Sequence, residues 1–94
     1  MTDADNVLFV VLDTVRKDHL TPYGYDRETT PTLESLAEEA TVYEQAVSPA
    51  PWTLPVHASM FTGLYPSQHG ASQEQPYLDE SIGTLAEALQ SSGY

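Results

Sequence analysis

The sequence predicts an α/β fold, and specifically the opening part of a larger α/β domain. Three observations lead to this. The apolar run from Val7 to Leu12 has the composition of a strand buried on both faces of a parallel sheet. Two later segments carry apolar residues at helical spacing. The elements follow one another in the order β-α-β-α-α, which is typical of α/β domains.

The chain is short for a self-sufficient fold. It has 94 residues, 40% of them apolar, and contains no cysteine. A chain of this size buries a small share of its surface, and neither a disulfide nor a thiolate metal site can add stability. We therefore expect residues 1–94 to be at most one small domain, and part of a single larger domain rather than a complete one.

The charge balance is strongly acidic, with 14 acidic residues against three basic ones and a formal net charge of −11. Such a balance argues against nucleic-acid binding and is typical of a solvated, halophilic-type surface. The run from Val7 to Leu12 is too short to cross a bilayer, and no basic region precedes a cleavage site. We expect a soluble, cytoplasmic protein.

The first predicted element is a strand over residues 6–13, after a polar and acidic segment, residues 1–5, that we expect to be frayed. Asp13 ends the strand. Ligands of open α/β sheets gather beyond the carboxyl ends of the strands, so Asp13 is a candidate site residue. The alternative is that Asp13 only forms a turn or caps a helix.

A helix and a second extended segment follow. Residues 14–25 are polar and read as a loop. Thr30 and Pro31 then predict a helix start, with Thr30 as the cap. The apolar residues expected to face the sheet are Leu33, Leu36, Ala37 and Ala40. Residues 41–47 predict the second strand or extended segment, and residues 48–51 a proline-containing loop.

The stretch from Ala50 to Gly63 contains a hydroxyl at a predicted helix start. Residues 58–61 suit a short helix that ends at Thr62-Gly63, which places Thr53 at or just before its first turn. Pro55 is tolerated there because first-turn N–H groups have no partner within the helix. Thr53 either caps the helix or lies in its positive field, where an anionic substrate also binds favourably.

The rest of the chain predicts a loop and one more helix. Residues 64–76 are rich in proline, glycine and serine and read as a loop. Ser81 is expected to cap the last helix, and Ser91 to Gly93 supply its stop signal. The apolar stripe of this helix consists of Ile82, Leu85, Ala86 and Leu89.

Asp13 and Thr53 together suggest a metal site. A strand end and a helix N-terminus in one sheet can approach each other and share a divalent cation. Such a cation would lower the pKa of the hydroxyl and neutralise charge on a sulfuryl or phosphoryl group. The oxygen ligands are compatible with Ca²⁺, Mg²⁺ or Mn²⁺, and Zn²⁺ is possible if histidines join.

Several motifs in succession resemble the N-terminal part of the sulfatase family, within the alkaline phosphatase-like superfamily. They are N-V-L-F-V-V-L-D, Y-G-Y-D, T-T-P-T-L-E-S-L-A-E-E-A, P-W-T-L-P-V-H-A-S-M-F-T-G-L-Y-P-S-Q-H-G and T-L-A-E-A-L-Q-S-S-G-Y. The resemblance covers the chain from Asn6 onward. It implies an α/β/α sandwich with a mostly parallel sheet.

The resemblance also implies a nucleophile. The family signature is C-x-P-S-R followed by T-G, with the first residue converted to formylglycine. Counting back from Thr62-Gly63 puts Thr53 at the nucleophile position and matches Pro55, whereas Val56 and His57 replace the serine and the arginine. Threonine cannot become formylglycine, but threonine nucleophiles occur in related phosphoethanolamine and glycerol-phosphate transferases and phosphonate-ester hydrolases.

His57 and the metal ligands follow from the same comparison. His57 would stabilise an oxyanion or act as an acid, and the alternative is an ordinary helix-surface residue. The family places its metal, most often Ca²⁺, on two consecutive aspartates after the first strand. Asp13 matches the first and Thr14 replaces the second, and further ligands come from a segment far downstream. His69 matches a recurrent family position and is expected to be structural.

The first functional hypothesis is a metal-dependent, sulfatase-like hydrolase segment acting on small-molecule or glycan sulfate or phosphate esters, with Thr53 and His57 as catalytic residues. The alternatives are a phosphoryl-group transferase or phosphonate or phosphodiester hydrolase with a threonine nucleophile, a catalytically inactive truncated remnant, and a purely structural acidic module.

Overall fold

The structure, a computed structural model, describes residues 6–94, so the expected frayed end at residues 1–5 lies outside the described part. The chain divides into two compact units, Met1–Gln45 and Ala46–Tyr94. No helix in the described part of the chain is long and apolar enough to span a membrane.

Between residues 6 and 45, the first unit contains two 3-10 turns and one helix. The turns, Lys17–His19 and Thr21–Tyr23, lie in the segment that was expected to be an irregular loop. Helix α1 is Pro31–Ala37, and it begins with proline at its first position, as predicted. Ala40 lies beyond the end of the helix, so the prediction that it belongs to the apolar stripe of this helix is wrong.

Thr30 precedes α1, but its side chain does not cap the helix. Its hydroxyl oxygen accepts instead from the backbone N–H of Thr21, at 3.1 Å. In return, the Thr21 hydroxyl oxygen accepts from the backbone N–H groups of Thr29 and Thr30, at 3.2 and 3.3 Å. A threonine network, rather than a helix cap, therefore fixes the start of α1.

The two predicted strands are not confirmed, since residues 6–94 contain no β-strand. Strands are stabilised by hydrogen bonds to neighbouring strands, and the described residues supply no such neighbour. The side chains from Val7 to Leu12 consequently remain between 39% and 88% exposed. The sequence therefore carries a strand-like apolar run for which the described chain forms no sheet.

The second unit contains three helices, which are α2 (Thr53–Thr62), α3 (Pro66–His69) and α4 (Leu85–Ser91). Helix α2 ends as predicted at Gly63, which adopts a left-handed conformation with φ of 72°. The Gly63 N–H donates to the Ser59 carbonyl oxygen at 2.8 Å and so closes the last turn. Thr53 is the first helical residue, so its expected place at the helix start is confirmed.

Helix α3 corrects the prediction of a continuous loop over residues 64–76. The Gln68 side-chain oxygen accepts from the Tyr65 backbone N–H at 2.9 Å, and Pro66 occupies the first helical position. Gly70, with φ of 74°, ends the helix after one turn. The prediction missed α3 because one turn is too short to show an apolar period.

Helix α4 begins later than predicted and is not capped by Ser81. Thr84 and Glu87 form a reciprocal capping box, in which the Thr84 hydroxyl accepts from the Glu87 N–H and the Glu87 carboxylate accepts from the Thr84 N–H. Ser81 instead donates through its N–H and hydroxyl to the Asp79 carboxylate, at 2.8 and 2.7 Å. Ile82 therefore precedes the helix.

Burial in the second unit centres on a few residues. Among residues 6–94, the buried ones are Pro55, His69 and Ala71, with His69 and Ala71 each 4% exposed. They are bonded to one another, because the imidazole of His69 reaches both of its buried neighbours. The centre of this unit is thus a polar contact and not an apolar cluster.

Candidate functional site

Thr53 occupies the first position of α2, and Trp52 precedes it as the N-cap residue without a side-chain capping bond. The first N–H groups of a helix have no partner within it and give this end a positive potential. Thr53 is exposed, whereas Pro55, which has no N–H to leave unbonded, is buried. The hydroxyl therefore stands at the end of the helix where an anionic group is favoured.

His57 lies one turn after Thr53 and is tied to it through the backbone. Its Nδ1 lies 3.0 Å from the Thr53 carbonyl oxygen, and its ring and that of Phe61 form a T-shaped pair with 6.0 Å between the ring centroids. A carbonyl oxygen only accepts, so Nδ1 carries the hydrogen of this bond. Nε2 is then the ring nitrogen through which His57 can exchange a proton with a bound molecule.

A third polar side chain, Ser59, joins the same helix to His69. The Ser59 hydroxyl and the His69 Nε2 are 3.0 Å apart, and the His69 Nε2 is 3.2 Å from the Pro55 carbonyl oxygen. Ser59 was not among the predicted site residues. The available signal was a hydroxyl four residues after the first-turn proline, on the same helical face, within an otherwise apolar run.

Asp13 and Thr14 form a turn at the end of the apolar run. Thr14 has φ of 63°, a left-handed conformation that is strained for a β-branched residue. Strain of this kind is often retained next to functional residues. The turn was the alternative interpretation of Asp13, and it does not conflict with a role of the carboxylate in binding a ligand.

The candidate metal ligands lie in different units, Asp13 in the first and Thr53 in the second. The residues described, 6–94, contain no group of three or more histidine, aspartate or glutamate side chains that could hold a metal ion. A carboxylate and a hydroxyl are nevertheless the donor types that hard divalent cations prefer. A cation shared by Asp13 and Thr53 stays a prediction.

Two of the three basic residues, Arg16 and Lys17, form bonds within the first unit. Arg16 donates from Nε and a terminal nitrogen to the two carboxylate oxygens of Asp18, at 2.9 and 2.7 Å. This pairing, with a further bond from His19, holds the pKa of Asp18 well below its usual range. Lys17 donates to the Glu44 carbonyl oxygen and lies 4.9 Å from the centre of the Tyr23 ring. These contacts indicate a structural role for Arg16 and Lys17 within the first unit.

Comparison with known proteins identifies the family. The sulfatase family model matches residues 5–94. An ulvan-active sulfatase of Formosa agariphila is 34% identical over 89 residues, which cover 95% of this chain and 17% of the relative. A multifunctional alkaline phosphatase superfamily protein, PehA, of Trinickia caryophylli is 34% identical over 95 residues, covering 95% of this chain and 18% of that protein.

A shorter match, 38% identical over 52 residues, joins the chain to the putative transferase YhbX of Escherichia coli K12 and covers 55% of this chain and 10% of that protein. No solved structure matches the chain significantly. The chain spans less than a fifth of the length of these curated relatives. Because the family model covers nearly all of it, the chain belongs to the sulfatase family, whose fold is of the alkaline phosphatase-like α/β type.

Proposed function

We propose that this chain carries the nucleophile of a sulfate- or phosphate-ester hydrolase, with Thr53 as the attacking residue. The observation that supports this most is the position of Thr53. It is the first residue of α2 and is exposed at the positive end of the helix. By the resemblance of its motif, it also corresponds to the nucleophile position of the family signature. The substrates that fit are small-molecule or glycan esters that present an anionic sulfate or phosphate group.

In the proposed reaction the Thr53 Oγ forms a bond to sulfur or phosphorus while the bond to the ester oxygen breaks. The hydroxyl loses its proton to solvent, and the leaving oxygen gains one from Nε2 of the doubly protonated His57 imidazole, which takes a proton back from the water that attacks in the next step. His57 suits this task because its Nδ1–H is held by the Thr53 carbonyl oxygen, which directs proton exchange to Nε2. Water then cleaves the Thr53 ester and regenerates the hydroxyl.

Sulfatases generally use a divalent cation, and the oxygens of Asp13 and Thr53 are the groups of this chain that would hold it. By resemblance the ion is Ca²⁺, with Mg²⁺, Mn²⁺ and Zn²⁺ as alternatives. When bound, it would lower the pKa of the hydroxyl and neutralise charge on the transferred group. Ligands from a downstream segment would have to complete its coordination.

A second candidate function is transfer of a phosphoryl group, or hydrolysis of a phosphonate or phosphodiester. Its support is the threonine itself, since Thr53 cannot be matured to the aldehyde used by sulfatases. The partial similarity to a putative transferase and to a multifunctional superfamily member agrees with this candidate. In that reaction an acceptor alcohol, rather than water, would take the group from Thr53.

The test measures cleavage of 4-nitrophenyl sulfate and 4-nitrophenyl phosphate, in Ca²⁺, by a protein containing this chain. Thr53→Ala should lower kcat by roughly three orders of magnitude or more, because it removes the nucleophile. Thr53→Ser retains a hydroxyl and is the matched control. Mass spectrometry of the quenched reaction should find the group covalently attached to Thr53. Unchanged turnover in Thr53→Ala would refute the assignment, and the preferred ester distinguishes the two candidates.

Calorimetric titration with Ca²⁺ tests the metal proposal. Asp13→Asn should weaken binding roughly tenfold or more, because the amide oxygen lacks the charge of the carboxylate. Thr14→Asp restores the paired aspartates of the family, at a φ that aspartate tolerates better than threonine, and should strengthen binding. Equal Ca²⁺ affinity in all three proteins would exclude Asp13 as a ligand.

A further inference from the structure

His69 is the one buried polar side chain among residues 6–94, and it contacts the helix that begins at Thr53. It is 4% exposed. Its Nδ1 accepts from the Ala71 backbone N–H at 3.0 Å, and its Nε2 lies 3.2 Å from the Pro55 carbonyl oxygen and 3.0 Å from the Ser59 hydroxyl oxygen. One imidazole therefore links the end of α3 to two successive turns of α2.

These partners assign the tautomer. An N–H group donates to Nδ1, so Nδ1 carries no hydrogen, and the neutral ring must carry its hydrogen on Nε2. The Pro55 carbonyl oxygen can only accept, which agrees with a donating Nε2. A base that activates a serine needs an unprotonated nitrogen facing the hydroxyl. The nitrogen of His69 that faces Ser59 is protonated, so the pair is not a serine–histidine nucleophile.

The geometry of α2 indicates what the contact achieves instead. Successive residues of an α-helix are about 100° apart, so Pro55 and Ser59 share one face, whereas Thr53 and His57 lie roughly 200° away on the other. His69 contacts the helix face that carries Pro55 and Ser59, and Thr53 and His57 lie on the opposite face. Pro55 has no N–H of its own, so its carbonyl is the only backbone group of this residue that can accept or donate a hydrogen bond, and His69 contacts it.

We infer that His69 is a positioning residue, which fixes the first turn of α2 through a neutral Nε2–H donor and thereby sets the direction of the Thr53 hydroxyl. The inference rests on the proposed nucleophile for its catalytic consequence. Its structural part, the clamp between His69 and the first turn of α2, stands independently of that proposal. His69 itself touches neither Thr53 nor His57 through the bonds described and is not a catalytic residue.

Two substitutions of His69 distinguish the contact made by Nε2 with Pro55 from the contact made by Nδ1 with Ala71. The amide nitrogen of His69→Gln reaches about as far as Nε2 and can still donate to Pro55. The shorter His69→Asn keeps an acceptor for the Ala71 N–H but cannot reach α2. We expect His69→Asn to increase amide hydrogen exchange of His57, Ala58 and Ser59, whose N–H groups close the first turns, by about fivefold to tenfold. His69→Gln should restore exchange to near the wild-type rate.

The same variants are assayed with 4-nitrophenyl phosphate and 4-nitrophenyl sulfate. His69→Asn should lower kcat about tenfold with little change in KM, and His69→Gln should recover most of it. Turnover that is equal in all three proteins, with exchange also equal, would overturn the inference. If the wild-type protein turns over neither ester, the proposed function fails, and the exchange data alone decide whether His69 holds the turn.

The ¹⁵N chemical shifts of the His69 ring in the wild-type protein give a test that no substitution can disturb. Protonated Nε2 and unprotonated Nδ1 are expected. The opposite tautomer, or a ring that carries a hydrogen on both nitrogens at neutral pH, would contradict the clamp even if both His69 variants fail to fold.

Discussion

The two units are each organised by a polar side chain that bonds to separate stretches of backbone, but the surroundings of these side chains differ. In the first unit, the half-buried Thr21 hydroxyl accepts from the N–H groups of Thr29 and Thr30. In the second, the buried His69 ring bonds Pro55, Ser59 and Ala71. Water can replace the bonds of Thr21 but not those of His69. Burial, rather than the number of bonds, should therefore decide how much each network stabilises its unit.

Replacing the His69 and Thr21 side chains, one in each unit, should have the largest effect and tests whether burial decides the stabilisation. His69→Leu should destabilise the second unit by about 1–3 kcal/mol, because it leaves the buried Ala71 N–H without its acceptor. Thr21→Val has nearly the same shape as threonine and should cost the first unit less than about 1 kcal/mol, since water reaches the freed N–H groups. Amide hydrogen exchange in each unit measures the two values. Equal losses would show that burial is not the deciding factor.

A second comparison takes one left-handed residue from each unit, Gly63 and Thr14, for which we expect substitutions to change the stability in opposite directions. Gly63 has φ of 72°, and a Cβ added there would meet no atom within 4 Å. Gly63→Ala should therefore destabilise α2 by about 1 kcal/mol through backbone strain alone.

Thr14, with φ of 63°, already bears this strain. Thr14→Gly should stabilise the first unit by up to about 1 kcal/mol, reduced by the greater freedom of glycine in the unfolded chain. Thermal unfolding followed by circular dichroism measures the stability of Gly63→Ala and Thr14→Gly. Thr14→Val keeps the β-branch and is the control, for which we expect no gain in stability. Destabilisation by Thr14→Gly would mean that the threonine side chain contributes contacts that outweigh its strain.

The smallest expected effects concern two exposed carboxylates. Arg16 lowers the pKa of Asp18, helped by His19, whereas the backbone N–H and then the hydroxyl of Ser81 lower the pKa of Asp79. Both carboxylates stabilise the folded state while they are ionised. Their contributions are therefore fully present above the ordinary aspartate pKa and are lost as the pH falls through the lowered values.

The two causes differ in their response to salt. An ion pair between exposed groups is screened, whereas a bond from a backbone N–H is affected less. In carboxyl ¹³C titrations, 1 M NaCl should raise the pKa of Asp18 more than that of Asp79. Arg16→Gln should remove most of this salt dependence. An equal response of the two groups would contradict the assignment of causes.

Local signals in the sequence predicted the parts of the site that depend on neighbouring residues. Thr62-Gly63 correctly gave the end of α2, and Pro55 was compatible with Thr53 in its first turn, because helix ends are encoded within a few residues. The start of α1 at Pro31 follows from the same chemistry. The expected structural role of His69 agrees with its buried, fully bonded ring.

Features that depend on distant partners were not predictable. The run from Val7 to Leu12 has strand composition, but a strand forms only against a neighbour, and residues 6–94 contain none. The start of α4 is an exception, because it is encoded locally: Ser81 and Thr84 are both good caps, but only Thr84 has a glutamate three residues later, and this signal was missed. The contact of Ser59 with His69 joins residues ten positions apart through α3, a turn with no periodic signal.

The bond between His57 and Thr53 has a practical consequence for measuring catalysis. The imidazole is anchored to the carbonyl of residue 53 and not to its side chain, so every substitution at that position except one that alters the backbone keeps the anchor. The attacking group and the proton donor can therefore be removed one at a time. A double-mutant cycle of Thr53→Ala and His57→Gln then reports the energetic coupling of the two groups during the reaction, because neither substitution alters the backbone anchor.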